Sequence, residues 1–323
     1  MRQIHETLLV RASKNPILTA AQWPYAAHSV FNAGATLLRD GTTLLLCRVE
    51  DRRGHSHLTA ARSRNGVDDW LIDPEPTFCA DPDNPDELWG LEDPRITFVD
   101  ELGKFAIAYT AFGRGGPGVA LALTEDFRTF ERYGLVMQPD DKDAALLPRR
   151  IDGSFALVHR PIAESGAHVW ISFSPDLRHW GDHKLVLPAR KGGWWDAHRV
   201  GLSPPLIETP RGWLMLYHGV RRTASGSIYR IGVALLDLEH PERCLLRGDS
   251  WVFGPEERYE REGDVPNVAF PCGYTLADDG DTLRLYYGAA DTSIALATGS
   301  VKALLRWLDE NASTSMHPEA TPL

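Results

Sequence analysis

Long apolar runs are missing from this 323-residue chain. No stretch approaches the roughly 20 residues that a membrane-spanning helix needs, so no membrane partner is expected. The opening MRQIHETLLVRASKNP lacks the apolar centre of a signal peptide. Cysteine is scarce. Cys47, Cys79, Cys244 and Cys272 lie far apart with no CxxC pair, which speaks against a disulfide framework or a zinc site and for a cytoplasmic setting. A basic excess is lacking as well. The 34 Lys and Arg face 44 Asp and Glu, a net charge of −10 with no basic stripe, so a nucleic-acid partner is not expected. Helical periodicity is almost absent too.

What is present is 43% hydrophobic residues, enough for a substantial core, with ten Trp and nine Tyr. Aromatic faces suit both sheet cores and the apolar faces of sugar rings. Alternating apolar residues and turn signals spell one phrase repeatedly: strand, tight turn, strand, then a strand of small and apolar residues. It appears first as GATLLRDGTTLLLCRVE followed by HLTAARSRNGVDDW. It returns as DPRITFVDELGKFAIAYTAF with GVALALTEDFRTF, then as AALLPRRIDGSFALVHRP with HVWISFSPDLRHW. The last two copies are SPPLIETPRGWLMLYHGV with YRIGVALLDLEHPERC, and NVAFPCGYTLADDGDTLRLYYGAAD with SIALATG.

A period of about 45 to 60 residues is the range of propeller blades. The expected fold is therefore all-β, a five-bladed β-propeller over 32–299, with a repeated-hairpin β-sandwich as the competing architecture. Residues 1–31 read as an N-terminal arm. Residues 300–323 read as a short C-terminal helix, from the spacing of Val301, Leu304, Leu305 and Leu308, and a polar, frayed tail STSMHPEATPL.

Polar residues recur at matching places in the copies. Arg48 with Glu50 and Asp51, Tyr109, His159 with Arg160, His218, and Asp291 stand at or just past the second strands. Asn32, Asp93, Lys142, Arg199 and Asn267 stand at the starts of the first strands. Any one of these is more often a solvated or satisfied polar group. As a set at equivalent positions around an axis, they predict a polar axial pocket. Asp93, Glu50, Asp51, Asp291, Asn32 and Arg48 can hydrogen-bond sugar hydroxyls. Lys142, Arg160, Arg199 and His218, with Tyr229 beside them, form a cationic group suited to an anion such as phosphate. Arg149 and Arg150 fit a surface role as well as a site role.

The blocks VFNAGA, RVEDRRGHSHL, GLEDPR, KDAALLPRRIDGSFALVHRP, WWDAHRVGLSPP, GWLMLYHGV, YRIGVALLDLEHPERC, YEREGDVPNVAFPCG and YYGAADT stand in order along nearly the whole chain. In them the chain resembles glycoside hydrolase family 130, the β-mannoside phosphorylases and related β-mannosidases. The resemblance implies a five-bladed propeller and an inverting phosphorylase that cleaves a β-mannosyl linkage with phosphate to give α-mannose 1-phosphate. Asp93 of the EDPR block is then the proton donor, acting through the mannose 3-hydroxyl, with Glu92 and Arg95 as its positioning shell. Asn32, Arg48, Glu50, Asp51, Ser56, Tyr109 and Asp291 would bind the sugar, and Lys142, Arg160, Arg199, His218 and Tyr229 the phosphate. Arg199 stands where the family commonly has lysine. Inorganic phosphate would be the co-substrate, with neither cofactor nor metal, and a homo-oligomer is left open.

Two rivals remain at this level. A β-mannosidase would need a second carboxylate to activate water, for which Glu256, Glu257, Glu260 and Glu262 of PEERYEREGD are candidates. A non-catalytic sugar-binding propeller would have little reason to keep the full GLEDPR block.

Overall fold

The computed structural model describes residues 6–224 and 226–314. Of the tail expected to be frayed, Ser313 and Thr314 instead extend a strand, Ala312–Thr314, that pairs with Cys244–Gly248 and so gains backbone hydrogen bonds; the rest lies outside the described residues. The chain is all-β, with one longer helix, Val301–Asn311. Its strands form five successive antiparallel meanders among the described residues. The first uses Ser29–Leu37, Thr43–Glu50, Ser56–Ser63 and Leu71–Ile72. The second uses Gly90–Val99, Lys104–Gly113, Gly116–Thr124 and Glu131–Met137. Asp141–Leu146, Phe155–Ala163, Val169–Ser174 and Gly181–Leu187 make the third. Arg199–Leu202, Gly212–Thr223, Gly226–Leu236 and Cys244–Gly248 make the fourth. Ala269–Leu276, Thr282–Ala289 and Ser293–Ser300 start the fifth. Its outer strand is Leu9–Arg11, from the stretch expected as an arm, with Val10 opposite Thr298.

The strands read as apolar on both faces because each meander lies between two others. Leu44 and Leu46 pack with Ile96 and Ile107 of the second meander. Leu45, one residue along and so on the opposite face, packs with Tyr286 and Leu296 of the fifth. The turns after the third strands are built alike. Asn65, Asp126, Asp176 and Asp237 each turn a side-chain oxygen back onto two backbone N–H groups two and three residues on. The helix starts at Ser300, whose Oγ accepts from the Ala303 N–H, and buries Val301, Leu304, Leu305 and Leu308 as their spacing predicts.

First strands of neighbouring meanders touch in cyclic order. A Cβ on Gly34 would lie 2.6 Å from the Pro94 carbonyl oxygen, and one on Gly273 would lie 2.2 Å from the Ala35 nitrogen. Only glycine permits either approach. Thr97 Oγ1 donates to the Leu146 carbonyl at 2.8 Å, joining the second meander to the third. Tyr274 Oη donates to the Leu206 carbonyl at 3.2 Å, joining the fifth to the fourth.

The fifth meander and the N-terminal strand are pinned together by Glu260, whose side chain is fully buried. Its carboxylate accepts from Arg11 Nε at 2.8 Å, from Tyr287 Oη at 2.7 Å and from the Glu256 and Glu257 amides. Hydrogen bonds of this number offset the cost of burying the charge. Replacing Glu260 with alanine should therefore cost about 3 kcal/mol of stability in urea unfolding. An unchanged midpoint would refute the staple.

Candidate active site

Sequence dictates an unusual backbone where the first strands meet. Register breaks fall between Phe31 and Gly34, between Glu92 and Arg95, and between Lys142 and Ala145. Inside these breaks Asn32, Asp93 and Asp143 take φ values of 45°, 49° and 57°. Asn and Asp tolerate this left-handed region better than other side chains. A bulge re-aims its residue, and here three polar side chains turn into one cavity. The cavity measures about 340 Å³, and Asn32, Asp93 and Asp143 line it with Arg48, Arg160 and Asp291. Lys142, Arg199, His218 and Tyr229 complete its polar wall. A larger, more open hollow of about 890 Å³ between the third and fourth meanders brings none of these residues together.

One side of the cavity is organised by Arg48. Its guanidinium donates to Asp93 Oδ1 at 3.1 Å, to Glu50 at 3.0 Å and to Glu92 at 3.0 Å, while its Nε donates to Ser56 Oγ at 2.9 Å. Asn32 Nδ2 also donates to Asp93 Oδ1, at 2.9 Å. That leaves Asp93 Oδ2 without a hydrogen-bond partner among the described residues, so it is the oxygen that can carry a transferable proton. Glu50, Ser56 and Glu92 are not cavity residues themselves; they act on it through Arg48, and Glu92 also through Lys142, whose Nζ is 3.9 Å away. Arg95 lies behind, fully buried, donating to the carbonyls of Asp93, Leu202 and Ser203 and pairing with Asp143.

The other side is organised by Asp143, which sequence reading passed over for its neighbour Lys142. The signal was present: KDAA occupies the place of EDPR and FNAG in the earlier copies, and the acidic residue is the one at the break. Arg160 Nε and Nη2 both donate to Asp143 Oδ2, at 3.0 and 2.9 Å. His218 Nε2 is 3.5 Å from the same oxygen. Arg199 donates to Tyr229 Oη, and its buried Nε has no partner; nor has His218 Nδ1. Phe270, also missed, packs against His218 at a tilt, with ring centres 4.7 Å apart.

Two expected site residues lie elsewhere. Asp51 caps the 51–55 turn, accepting from the Arg53 and His55 amides and pairing with the Arg53 side chain, because a carboxylate two residues before a turn amide caps it locally. Tyr109 points into the apolar core of the second meander, where its hydroxyl donates to buried Glu87 at 2.8 Å. Arg149 and Arg150 are at the surface, paired with Glu208 and Glu239 and with Glu101.

Charge is distributed unevenly. Burial pushes Asp291 up, and the nearby Asp93 charge pushes it further, to about 7. Burial acts the same way on Asp93, yet Arg48, Arg95 and Lys142 outweigh it and hold that carboxyl below its ordinary value. Asp143 lies well below the carboxylate range, since Arg160 and Arg95 overcome the effect of its burial. His218 was expected to be cationic. Burial, reinforced by Arg160, Arg95 and Arg199, brings it down to about 3, so it is neutral at physiological pH and can offer a hydrogen bond but not a charge. The cavity's cations are Lys142, Arg160, Arg199 and Arg48.

The chain matches the glycoside hydrolase family 130 model, described as beta-1,4-mannooligosaccharide phosphorylase, over residues 7–310. The chain belongs to glycoside hydrolase family 130. Among family 130 relatives, the 1,2-beta-oligomannan phosphorylase of Thermoanaerobacter sp. (strain X514) is 36% identical over 307 residues, covering 91% of this chain and 98% of that protein. The beta-1,4-mannooligosaccharide phosphorylase of Ruminococcus albus is 30% identical over 313 residues, with 94% and 91% covered. The solved beta-1,2-mannobiose phosphorylase from Listeria innocua, in complex with beta-1,2-mannobiose, superposes with a TM-score of 0.85 at 29% identity, covering 94% of this chain and 99% of that one.

The raised Asp291 has a consequence for stability. Its folded value of about 7 exceeds the ordinary 3.8. Between those values the unfolded chain loses its proton and the folded chain keeps it, so stability falls as pH rises and the full penalty is in place above pH 7. At about 1.4 kcal/mol per pH unit the penalty is roughly 4 kcal/mol. Asp291→Asn should thus melt at the same temperature as the parent near pH 4 and higher than it at pH 8. Parallel melting curves across that range would contradict the assignment.

Proposed function

We propose that this protein is an inverting β-mannoside phosphorylase, cleaving a terminal β-mannosyl linkage of a manno-oligosaccharide or mannosyl-hexose with inorganic phosphate. The observation that carries this reading is one cavity with a carboxylic acid on one side and three cations on the other. Phosphorolysis needs an acid for the leaving oxygen and an electropositive cradle for the nucleophile, and no base to activate water. The five meanders are read as propeller blades around the cavity, forming a catalytic domain over 32–299 with the N-terminal strand at its seam. A cytoplasmic setting and a requirement for phosphate alone, without metal or cofactor, complete the reading.

In this mechanism Arg48, Asn32 and Asp291 hold the mannose beside Asp93, and Lys142, Arg160 and Arg199 hold phosphate across from them. The free enzyme keeps Asp93 ionised, which is the wrong state for a donor. A bound phosphate dianion offsets the cations that hold Asp93 down, so its arrival raises the acid towards its working form. Asp93 then gives its proton, relayed through the mannose 3-hydroxyl, to the glycosidic oxygen. A phosphate oxygen bonds to C1 from the opposite face as the C1–O bond breaks. The products are α-mannose 1-phosphate and the shortened sugar, and ionisation of the new phosphate monoester returns the proton.

The mannosidase alternative loses its expected bases. Glu260 is the buried staple on Arg11, Glu256 pairs with Arg11, Glu262 pairs with Arg258, and none of the four glutamates, Glu257 included, lines the cavity. Asp143 is a poor base because its cations hold it so low. Asp291 has a suitable value, but Asp93, Glu50 and Glu92 all act on it, which groups it with the acid rather than opposite. An inverting hydrolase needs its base on the opposite face.

Two measurements test the proposal. Cleavage of β-1,2- and β-1,4-mannosides should require phosphate and yield mannose 1-phosphate, and Arg199→Ala should raise the phosphate KM about 10- to 100-fold, the equivalent of one charge-assisted contact. Free mannose released at one rate with and without phosphate would instead establish the hydrolase. Asp93→Asn should lower kcat about 10²- to 10⁴-fold while the protein stays folded. A folded Asp93→Asn protein with near-normal turnover would remove Asp93 from the role.

A further inference from the structure

The third meander contains a hydrogen-bonded line that the proposed reaction does not use. Asp141 Oδ2 is 2.6 Å from His159 Nδ1, His159 Nε2 is 2.7 Å from Ser172 Oγ, and Ser172 Oγ is 2.6 Å from His183 Nδ1. Each residue comes from a different strand, so the line crosses the sheet from its innermost strand to its outermost one. Asp141, His159 and Ser172 are buried, and His183 is exposed. Leu157, two residues before His159 and so on the same face, belongs to an apolar cluster with Met137, Ala144 and Leu146. A polar line through such a core costs stability unless every member is satisfied.

Donor chemistry orders the line. A carboxylate only accepts, so His159 Nδ1 carries the hydrogen that Asp141 Oδ2 receives. His159 Nε2 and His183 Nδ1 share the Ser172 hydroxyl between them. The remaining oxygen, Asp141 Oδ1, accepts the Arg160 N–H at 3.1 Å. Arg160 pairs in the ladder with Lys142, at the register break that also turns Asp143 inward. The line therefore ends on the backbone from which two of the cavity's cations project. Burial pushes the Asp141 carboxyl up, and the hydrogen bonds from His159 and the Arg160 amide oppose this. Without His159 the grip on that amide weakens.

We propose that Asp141, His159 and Ser172 are positioning residues for the phosphate half of the cavity, fixing Arg160 and the bulge that carries Lys142 and Asp143. They touch no substrate. The proposal rests on the phosphorylase reading, and its effect falls mainly on phosphate: the line shares no hydrogen bond with the Arg48 side, which it meets through Lys142, 3.9 Å from Glu92, and through Arg95 behind the cavity.

The test compares phosphate KM and mannoside KM in His159→Phe, His159→Asn and Ser172→Ala, with thermal melting recorded for each. His159→Phe should raise the phosphate KM about tenfold or more and leave the mannoside KM within about twofold. His159→Asn keeps a side-chain N–H near the Nδ1 position and should recover most of the loss. Ser172→Ala breaks the line one step further out and should show a smaller rise of the same kind; it carries the test if His159→Phe does not fold. A parent enzyme indifferent to phosphate would defeat the phosphorylase reading itself. A phosphate-dependent parent whose folded variants keep the parental phosphate KM would overturn this inference alone. So would equal rises in both KM values with lowered melting and no recovery in His159→Asn, the pattern of a purely structural line.

Discussion

The cavity depends on one buried guanidinium. Arg95 comes from the second meander, binds the Leu202 and Ser203 carbonyls of the fourth, pairs with Asp143 of the third and lies over Phe270 of the fifth, 5.6 Å from its ring centre. Four meanders thus meet on one planar group. A lysine could not supply this fan of donors, since its ammonium is a point charge on a flexible stem. A buried charge is tolerable only when paired, so Asp143 has to be an anion, and an anion there recruits Arg160 as well. The packing requirement at the centre and the positive potential beside it have the same origin.

The opposite side repeats the scheme with signs exchanged. Arg48 is the cation that pairs with all three of Asp93, Glu50 and Glu92, with Lys142 also near Glu92, as Asp143 is the anion shared by Arg95 and Arg160. Each hub holds its neighbours in fixed geometry and leaves a surplus of the other sign facing the cavity. A sugar with many hydroxyls and a compact anion can then lie side by side, each against the surface whose chemistry suits it. The two aspartates end at opposite ends of their range: Asp93 stays low under Arg48, Arg95 and Lys142, and Asp291, where burial and the Asp93 charge outweigh Arg48, rises to about 7.

Much of this was legible because strands facing two neighbours leave a clear record. Five repeated hairpins and the terminal helix follow from alternation and turn chemistry. Asn32 and Asp93 were identified for the same reason, at matching points of two copies. Asp143 was missed by one position, because a bulge shifts which residue faces inward and alternation does not register the extra residue. Tyr109 was misplaced because its partner, Glu87, comes from a loop that no periodicity links to it. Arg95 looked like a companion of Asp93, and its tie to a fourth meander more than a hundred residues away had no local trace. Glu260 sits in a run of charges that reads as surface, and only the return of the N-terminal strand buries it.

That return has a consequence for synthesis. Leu9–Arg11 finds its partner only in Ser293–Ser300, and Arg11 reaches Glu260 across 249 residues. Loop closure over such a span delays the contact, and a chain leaving the ribosome has made four meanders before the partner strand exists. Until then the first strand is an unpaired edge, with Leu8 and Leu9 uncovered, and such edges invite pairing between chains. A nascent chain cut short anywhere before Ser293 keeps that edge permanently.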